Sequence, residues 1–160
     1  TIVERFSQIG SKAELEVANV SEVISEVLNY MRNRISKQVT IKADLPNEAF
    51  VMLNIPLFEW VVENLCKNAV DAMEGRGTLT IEMSETSSAV VVDITDTGRG
   101  ISKSNISKVF NMGFTTKKRG WGLGLSLSKR IIKEYHGGKI YVKHSQIDKG
   151  TTFSIELKKK

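Results

Sequence analysis

The sequence predicts an α/β (α+β) two-layer sandwich, in which a mixed, largely antiparallel sheet carries about three helices on one face and a long loop that could cover a ligand. Three observations support this fold class. Several short segments alternate apolar and polar residues, which is the pattern of half-buried strands. Three longer stretches carry apolar residues at helical spacing. Short turns connect the strand-like segments of the second half, which favours antiparallel neighbours.

The composition is that of one globular domain. The chain has 160 residues, 41% of them hydrophobic, which is enough for a core of its own. It contains no apolar run near the roughly 18 residues of a membrane helix and no signal-peptide pattern. The single cysteine, Cys66, excludes an internal disulfide framework and is typical of a reducing compartment. The net charge is +5, but basic and acidic residues are interleaved, so we do not expect nucleic acid as a partner.

The first residues predict a short helix. Ile2, Phe6 and Ile9 follow one another at helical spacing, and Gly10 would weaken or end the helix. Three apolar residues cannot form a core, and the chain does not begin with methionine. We therefore interpret residues 1–13 as the end of a longer helix and residues 14–160 as the domain itself.

The remaining elements follow from periodicity and capping signals. Ser21 is a candidate N-cap for the first full helix, Pro56 suits the first turn of the second, and Gly137 suits the end of the third. The helices are predicted over residues 21–35, 56–73 and 125–135. The strands are predicted over residues 16–20, 39–43, 49–53, 78–83, 89–95, 139–144 and 150–157.

The second helix carries an unusual polar stripe. At 100° per residue, its core face contains Val61, Leu65, Ala69 and Ala72. Beside that face Asn64, Asn68 and Asp71 are spaced at i, i+4 and i+7. Asparagine and aspartate are poor helix formers, so three of them along one stripe indicate a function rather than ordinary surface polarity.

Two glycine clusters bracket about twenty residues after the strand at 89–95. The first cluster is Asp96-Thr97-Gly98-Arg99-Gly100 and the second is Gly120-Trp121-Gly122-Leu123-Gly124. A loop of this length within a compact domain is usually functional. The second cluster opens a helix, whose free N–H groups and dipole suit a phosphate. The pattern predicts a nucleotide site covered by a mobile loop, with the basic triplet Lys117-Lys118-Arg119 close to the phosphates.

Five motifs in order resemble the ATP-binding superfamily shared by sensor histidine kinases, DNA gyrase, mismatch-repair ATPases and a heat-shock chaperone. The resemblance covers roughly residues 17–160 and is closest to the catalytic and ATP-binding domain of two-component sensor histidine kinases. The motifs are the asparagine box at 63–69, the first glycine box at 96–101, the phenylalanine box at 109–117, the second glycine box at 120–125 and the short motif at 150–153.

The resemblance implies ATP and Mg²⁺ as ligands. Asp96 would accept a hydrogen bond from the adenine amino group, and Gly98 and Gly100 would let the backbone pass close to the base. Thr151 or Thr152 would complete the adenine pocket. Asn68 would hold Mg²⁺ through its amide oxygen, since magnesium prefers oxygen ligands. Asn64, one turn earlier, would face the same ion or a phosphate.

The resemblance also implies which residues contact the phosphates. Asn64 and Lys117 are the candidates for a catalytic role, and Phe110 and Phe114 are expected to pack the loop down. The full set of expected nucleotide-binding residues is Asn64, Asn68, Asp71, Asp96, Gly98, Gly100, Ile101, Thr115, Thr116, Lys117, Gly120, Gly122, Leu123, Gly124, Leu125, Thr151 and Thr152.

Two positions depart from patterns known in the superfamily. Asp71 and Ala72 stand where many histidine kinases carry a basic residue and an aromatic one, so a residue that stacks on adenine is not expected here. Asn64 stands where gyrase-type ATPases carry a glutamate general base. An amide cannot take a proton from water, so we expect slow ATP hydrolysis by this domain alone.

The resemblance implies a kinase that phosphorylates a histidine on a separate dimerisation domain and passes the phosphoryl group to a response regulator. Neither His136 nor His144 is expected to be the acceptor. The parent would be a homodimer and this chain a monomer, located in the cytoplasm even where its parent is anchored in the inner membrane. Two alternatives remain open: a non-catalytic nucleotide-sensing scaffold and a gyrase-type ATPase.

Overall fold

The computed structural model describes residues 14–114 and 124–159, which form seven strands and four helices. The strands are β1 (Glu16–Asn19), β2 (Val39–Asp44), β3 (Phe50–Leu53), β4 (Gly77–Glu85), β5 (Ala89–Thr95), β6 (Lys139–Gln146) and β7 (Gly150–Lys158). The helices are α1 (Val20–Arg32), α2 (Ile55–Ala72), α3 (Lys103–Ile106) and α4 (Gly124–Arg130), and a π-helical turn (Ile131–Tyr135) continues from α4.

The main sheet has five strands in the order β2-β4-β5-β7-β6. Only β2 and β4 pair in parallel, and the other neighbours are antiparallel. This confirms the predicted mixed, largely antiparallel sheet with helices on one face. β5 is the central strand, so whatever follows it lies at the middle of one sheet edge. A second sheet of β1 and β3 was not predicted, because an alternating pattern does not reveal which distant strand will be its partner.

The core lies between the main sheet and the helices. Alternate residues of β5, Val90, Val92 and Ile94, point inward and are at most 2% exposed. Phe153, Ile155 and Leu157 point inward on β7 and are at most 7% exposed. Burial of this apolar face stabilises the sheet against the helices. Because side chains alternate along each strand, the other face of β5 and β7 carries most of the polar residues of these strands, together with Val91.

The start of α1 differs from the prediction. The cap is Asn19, whose side-chain oxygen accepts the N–H of Ser21 at 3.2 Å and the N–H of Ala49 at 3.0 Å. Ser21 is not the cap but a buried residue inside the first turn, with its hydroxyl 3.8 Å from the sulfur of Met83. Asn19 serves as the cap because its side-chain oxygen connects the first turn of α1 with Ala49, just before β3. The helix ends at Arg32, three residues before the predicted end.

α2 begins at Ile55 and ends at Ala72, each one residue before the predicted bound. Asn54 caps it by accepting the N–H of Leu57 at 3.1 Å, and Pro56 lies in the first turn. Cys66 on this helix is fully buried, and that burial raises its pKa to about 12, so it behaves as a packed apolar residue. Among the helices of the described residues, α2 included, none has both the length and the apolar character required to cross a bilayer.

Candidate functional site

A buried carboxylate lies at the end of the central strand. Asp96 directly follows β5 and is 5% exposed. Its Oδ1 accepts the N–H of Gly98 at 2.8 Å and the N–H of Thr151 at 3.3 Å. Its own N–H donates to the carbonyl of Thr151 at 2.9 Å. The loop that follows β5 and the start of β7 therefore hold this side chain together.

The surroundings of Asp96 act on its charge in opposite directions. Burial raises the pKa of Asp96 above its ordinary value of 3.8, whereas the N–H groups of Gly98 and Thr151 and the charge of Arg99 act to lower it. A buried carboxylate is a strong hydrogen-bond acceptor. The N–H groups of Gly98 and Thr151 both donate to the same carboxylate oxygen, Oδ1.

The loop after Asp96 packs on the end of α2. A Cβ added at Gly98 would lie 2.5 Å from the carbonyl carbon and oxygen of Ala72, which is closer than real contacts allow. The N–H of Arg99 donates to that same carbonyl at 3.0 Å. The hydroxyl oxygen of Thr97 accepts the N–H of Thr78 at 3.1 Å. The helix contact by itself therefore requires glycine at position 98, and close approach to a base stays a prediction.

The same loop packs on the β6–β7 turn from its other side. Gly100 has φ of +75°, and a Cβ there would overlap the carbonyl oxygen of Gln146. The N–H of Asp148 donates to the carbonyl of Arg99 at 2.8 Å. The loop is thus held between the end of α2 and the β6–β7 turn. This arrangement fixes the backbone next to Asp96 without any ligand.

Ser145 takes part in this contact, and sequence reasoning missed it. Its hydroxyl oxygen accepts the N–H of Ile101 at 2.8 Å and lies 2.8 Å from the hydroxyl oxygen of Thr151. A hydroxyl residue near the end of a strand is a weak sequence signal. Its importance comes from Ile101, which is 44 residues away in the chain.

The two threonines of the last motif have different surroundings. Thr151 is 5% exposed and contacts the Asp96 carboxylate through its N–H. The hydroxyl of Thr152 instead lies 2.9 Å from that of Thr95, its cross-strand neighbour. Successive strand residues point to opposite faces. Of the two alternatives from the sequence, the structure therefore places Thr151 beside Asp96, and Thr152 on the other face of the sheet.

Asn64 contacts the start of α4. Its Nδ2 donates to the hydroxyl oxygen of Ser128 at 3.1 Å, and Ser128 donates to the carbonyl of Gly124 at 2.8 Å. A Cβ added at Gly124 would lie 2.5 Å from Oδ1 of Asn64. The asparagine box on α2 and the last glycine of the second glycine box are therefore in direct contact.

The other two residues of the polar stripe lie further along α2. Asn68 is half-buried, Asp71 is exposed, and both have interaction partners. α2 contacts α4 through Asn64 and the loop after Asp96 through Ala72, which follows Asp71, so the stripe runs along α2 between these two contacts. Its amide and carboxylate oxygens are of the kind that Mg²⁺ prefers. One helix face therefore connects the loop after Asp96 with the start of α4.

Ile101 and Leu125 are both partly buried and pack against the core. Their side chains therefore help hold the two glycine boxes to the domain. The remaining candidates lie outside the described residues, and their roles stay predictions. They are Thr115, Thr116, Lys117, Gly120, Gly122 and Leu123.

His136 has a structural environment. It is buried, with its Nδ1 2.9 Å from the carbonyl of Ile131 and its Nε2 accepting the N–H of Asn54 at 3.1 Å. Burial lowers its pKa, against the effect of these two backbone hydrogen bonds. A neutral ring with Nδ1 protonated satisfies both contacts. Because both ring nitrogens are engaged, His136 joins the end of the π-helical turn to the start of α2.

Comparisons with known proteins agree with this geometry. The family described as histidine kinase-, DNA gyrase B-, and HSP90-like ATPase matches residues 53–160. The sensor histidine kinase ZraS of Salmonella typhi is 33% identical over 147 residues, which cover 89% of this chain and 31% of that protein. The sensor kinase CckA of Brucella abortus is 34% identical over 160 residues, covering 89% and 17%. The chain thus spans less than a third of these relatives.

Solved structures show the same fold. The catalytic domain of histidine kinase ThkA, in a nucleotide-free form, superimposes with a TM-score of 0.82 at 31% identity, covering 91% of this chain and 96% of that one. ThkA in complex with the response regulator TrrA gives a TM-score of 0.80 at 27% identity, covering 99% and 46%. The chain therefore belongs to the histidine kinase-, DNA gyrase B- and HSP90-like ATPase family, and within it to the catalytic domains of sensor histidine kinases.

Proposed function

We propose that this domain binds Mg-ATP and transfers the γ-phosphoryl group to a histidine on a separate dimerisation domain, for relay to a response regulator. The observation that carries the proposal is the buried Asp96 carboxylate, held at the end of the central strand by Gly98 and Thr151. The polar stripe of α2 runs from Asn64, which contacts α4, towards Ala72, which contacts the loop that follows this carboxylate. α2 thereby connects the part of the site proposed to bind the base with the part proposed to bind the phosphates.

Adenine recognition follows from the chemistry of Asp96. Its Oδ2 would accept the exocyclic amino group of adenine. Guanine carries a carbonyl oxygen at that position, which would face the buried carboxylate without a proton between them. A ligand that leaves a buried polar group without a hydrogen-bond partner binds much more weakly. Thr151, whose N–H already contacts the carboxylate, supplies a hydroxyl beside the base.

The α2 stripe has the donor chemistry for magnesium. Asn68 would hold Mg²⁺ through its amide oxygen, while Asp71 would orient the water that the ion retains. The ion would neutralise charge on the phosphates. Asn64 would hold α4 through Ser128, so that the start of this helix faces a phosphate. Lys117, Thr115 and Thr116 keep their predicted role at the γ-phosphate.

Kinase activity is favoured over rapid ATP hydrolysis because the position of the gyrase-type general base holds Asn64. The contact of Asn64 with Ser128 uses its amide as a donor. The nearest carboxylate, Glu63, is one residue away and is rotated about 100° around the helix. The domain would therefore position ATP without activating water. Catalysis would consist of orientation and charge neutralisation.

The phosphoryl acceptor is proposed to lie on another domain. His136 is buried with both ring nitrogens in hydrogen bonds, so its imidazole cannot attack a phosphate. His144 is exposed on β6 and pairs with Thr152, on the sheet face opposite to Thr151. The complex of ThkA with TrrA supports a response regulator as the final partner. A homodimeric parent is part of the same proposal.

Calorimetric titration of ATP and GTP, with and without Mg²⁺, tests the nucleotide site. We expect adenine-selective binding that Asp96→Asn weakens about 100-fold, because a charge-assisted hydrogen bond is lost and an amide donor faces the amino group. Asp93→Asn is the matched control. Asp93 lies on β5, three residues before Asp96, but contacts Lys143 and Ser154 on the other face of the sheet, so this variant should bind ATP normally.

Phosphotransfer is tested by adding a separate histidine-bearing dimerisation domain and γ-labelled ATP. Labelled acceptor histidine would support the kinase. Selective ATP binding with no transfer would overturn the proposed activity and favour a nucleotide-sensing scaffold. Equal binding of ATP and GTP would overturn the adenine site itself.

A further inference from the structure

The hydroxyl of Ser145 connects both sides of the proposed adenine pocket. It accepts the N–H of Ile101, in the loop that follows Asp96, at 2.8 Å. It also lies 2.8 Å from the hydroxyl oxygen of Thr151, whose N–H contacts the Asp96 carboxylate. Ser145 itself is half-buried near the end of β6. One side chain therefore touches the first glycine box and the last motif together.

The hydrogen-bond count at Ser145 limits what Thr151 can present to a ligand. A serine hydroxyl has one proton to donate. Its available acceptors are Thr151 Oγ1 at 2.8 Å and the carbonyl of Gly150 at 3.3 Å. If Ser145 donates along the shorter contact, the proton of Thr151 is free for a ligand acceptor, whereas donation to Gly150 would require Thr151 to donate to Ser145. Thr151 then faces the pocket as a donor beside Asp96, which is an acceptor.

The position of Ser145 is fixed by the backbone around it. Asp148 donates to the carbonyl of Arg99 at 2.8 Å, and Gly100 approaches Gln146 so closely that a Cβ would not fit. The β6–β7 turn and the loop after Asp96 thus pack as one unit. A side chain held in this way has little freedom to release Thr151.

We propose that Ser145 is a positioning residue for adenine recognition, acting through Thr151. It holds the Thr151 hydroxyl with its proton directed to the acceptor that adenine offers beside its amino group, at ring nitrogen N1 or through a bridging water. Guanine carries an N–H at that ring position and so presents a donor. The inference rests on the proposed function, and it adds a residue that determines selectivity between the two bases.

The experiment measures the ratio of ATP to GTP affinity, which a residue that only stabilises the turn would not change. The variants are Ser145→Ala, Ser145→Thr, Thr151→Val and the double variant Ser145→Ala/Thr151→Val. Ser154→Ala is the matched control, because Ser154 is a fully buried serine that bonds to Asp93 away from the pocket. Competition calorimetry gives the affinities, and thermal unfolding shows that each variant is folded.

We expect Ser145→Ala to lower the ATP to GTP ratio about fivefold, the equivalent of one ordinary hydrogen bond. Ser145→Thr should keep the ratio within about twofold, because it keeps the hydroxyl. The double variant should bind ATP no more weakly than Thr151→Val, because Ser145 acts through Thr151. Ser154→Ala should lower the unfolding temperature and leave the ratio unchanged.

Two different failures can be distinguished. Absence of adenine selectivity in the unmodified chain overturns the proposed function. If the unmodified chain is selective but Ser145→Ala keeps the ATP to GTP ratio, only the role of Ser145 is overturned. The same follows if the affinity losses of Ser145→Ala and Thr151→Val multiply in the double variant. If Ser145→Ala does not fold, Ser145→Cys replaces it, because a thiol keeps the size with a weak donor. The same fall in the ratio is then expected.

Discussion

The two long hairpins of the main sheet end in turns that use similar side chains in different ways. In the β4–β5 turn, Thr86 accepts the N–H groups of Ser88 and Ala89 at 3.3 and 3.0 Å, and all partners lie within three residues. Beside the β6–β7 turn, near the end of β6, Ser145 accepts the N–H of Ile101, 44 residues away. The turns lie at opposite ends of β5, and only the second adjoins Asp96. The hydroxyl of Thr86 thus stabilises a local turn, whereas the hydroxyl of Ser145 connects distant segments of the candidate site.

A substitution at the contact between the β6–β7 turn and the loop after Asp96 should have the largest effect on stability. Gly100→Ala would place a Cβ against the carbonyl oxygen of Gln146, in a backbone conformation with φ of +75°. We expect the free energy of unfolding to fall by about 3 kcal/mol, from strain and overlap together. Denaturation with urea measures the change, and ATP titration should show weaker binding.

Gly113→Ala is the matched control for that substitution. Gly113 has a similar φ of +83°, but no described atom lies within 4 Å of a Cβ added there. It should lose only about 1 kcal/mol, which is the cost of a left-handed backbone. Equal losses in both variants would show that the packing between the loop and the turn contributes nothing.

Asp96→Asn should change stability and ATP binding in opposite directions, with the free domain more stable and ATP binding weaker. Burial raises the pKa of Asp96 in the folded protein. The contribution of this group to stability is therefore fully present below its ordinary pKa of 3.8 and is lost as the pH rises through the raised value. At neutral pH the ionised carboxylate destabilises the nucleotide-free domain. An amide removes that charge and still accepts at Oδ1.

The expected result of Asp96→Asn is a rise in unfolding temperature at pH 7, which disappears at a pH below the ordinary pKa. ATP binding by the unmodified chain should weaken as the pH falls through the raised pKa, because the protonated carboxyl is a poorer acceptor. Thermal unfolding and calorimetry across this pH range test both statements. A fall in unfolding temperature at pH 7 would mean that hydrogen bonds to the charged form outweigh its burial.

Thr86→Ala should have the smallest effect. It removes bonds that are exposed to solvent and local to the β4–β5 turn, so we expect a loss of about 0.5–1 kcal/mol. Urea denaturation measures it, and the ATP to GTP ratio should remain unchanged. A change in that ratio would show that the two ends of the sheet are coupled.

Much of the candidate site could be predicted from the sequence. The alternation of β5 predicted that Asp96 ends a strand, and helical periodicity predicted one stripe for Asn64, Asn68 and Asp71. Both signals are local, since they depend on residues within one or two turns of each other. Ser145 was missed because its partners become neighbours only when the β6–β7 turn packs on the loop after Asp96.

The sequence alone determined the order of the strands and of the three longer helices, the family motifs and the position of the buried carboxylate, because periodicity and capping are encoded over short stretches of chain; the short helix α3 was not predicted. Only the tertiary structure decided that β1 pairs with β3 and that Thr151 rather than Thr152 lies beside Asp96. It also decided that the ring of His136 accepts the N–H of Asn54, 82 residues away. These outcomes depend on which elements pack together. Packing is a property of the whole core, and no single segment of the sequence contains it.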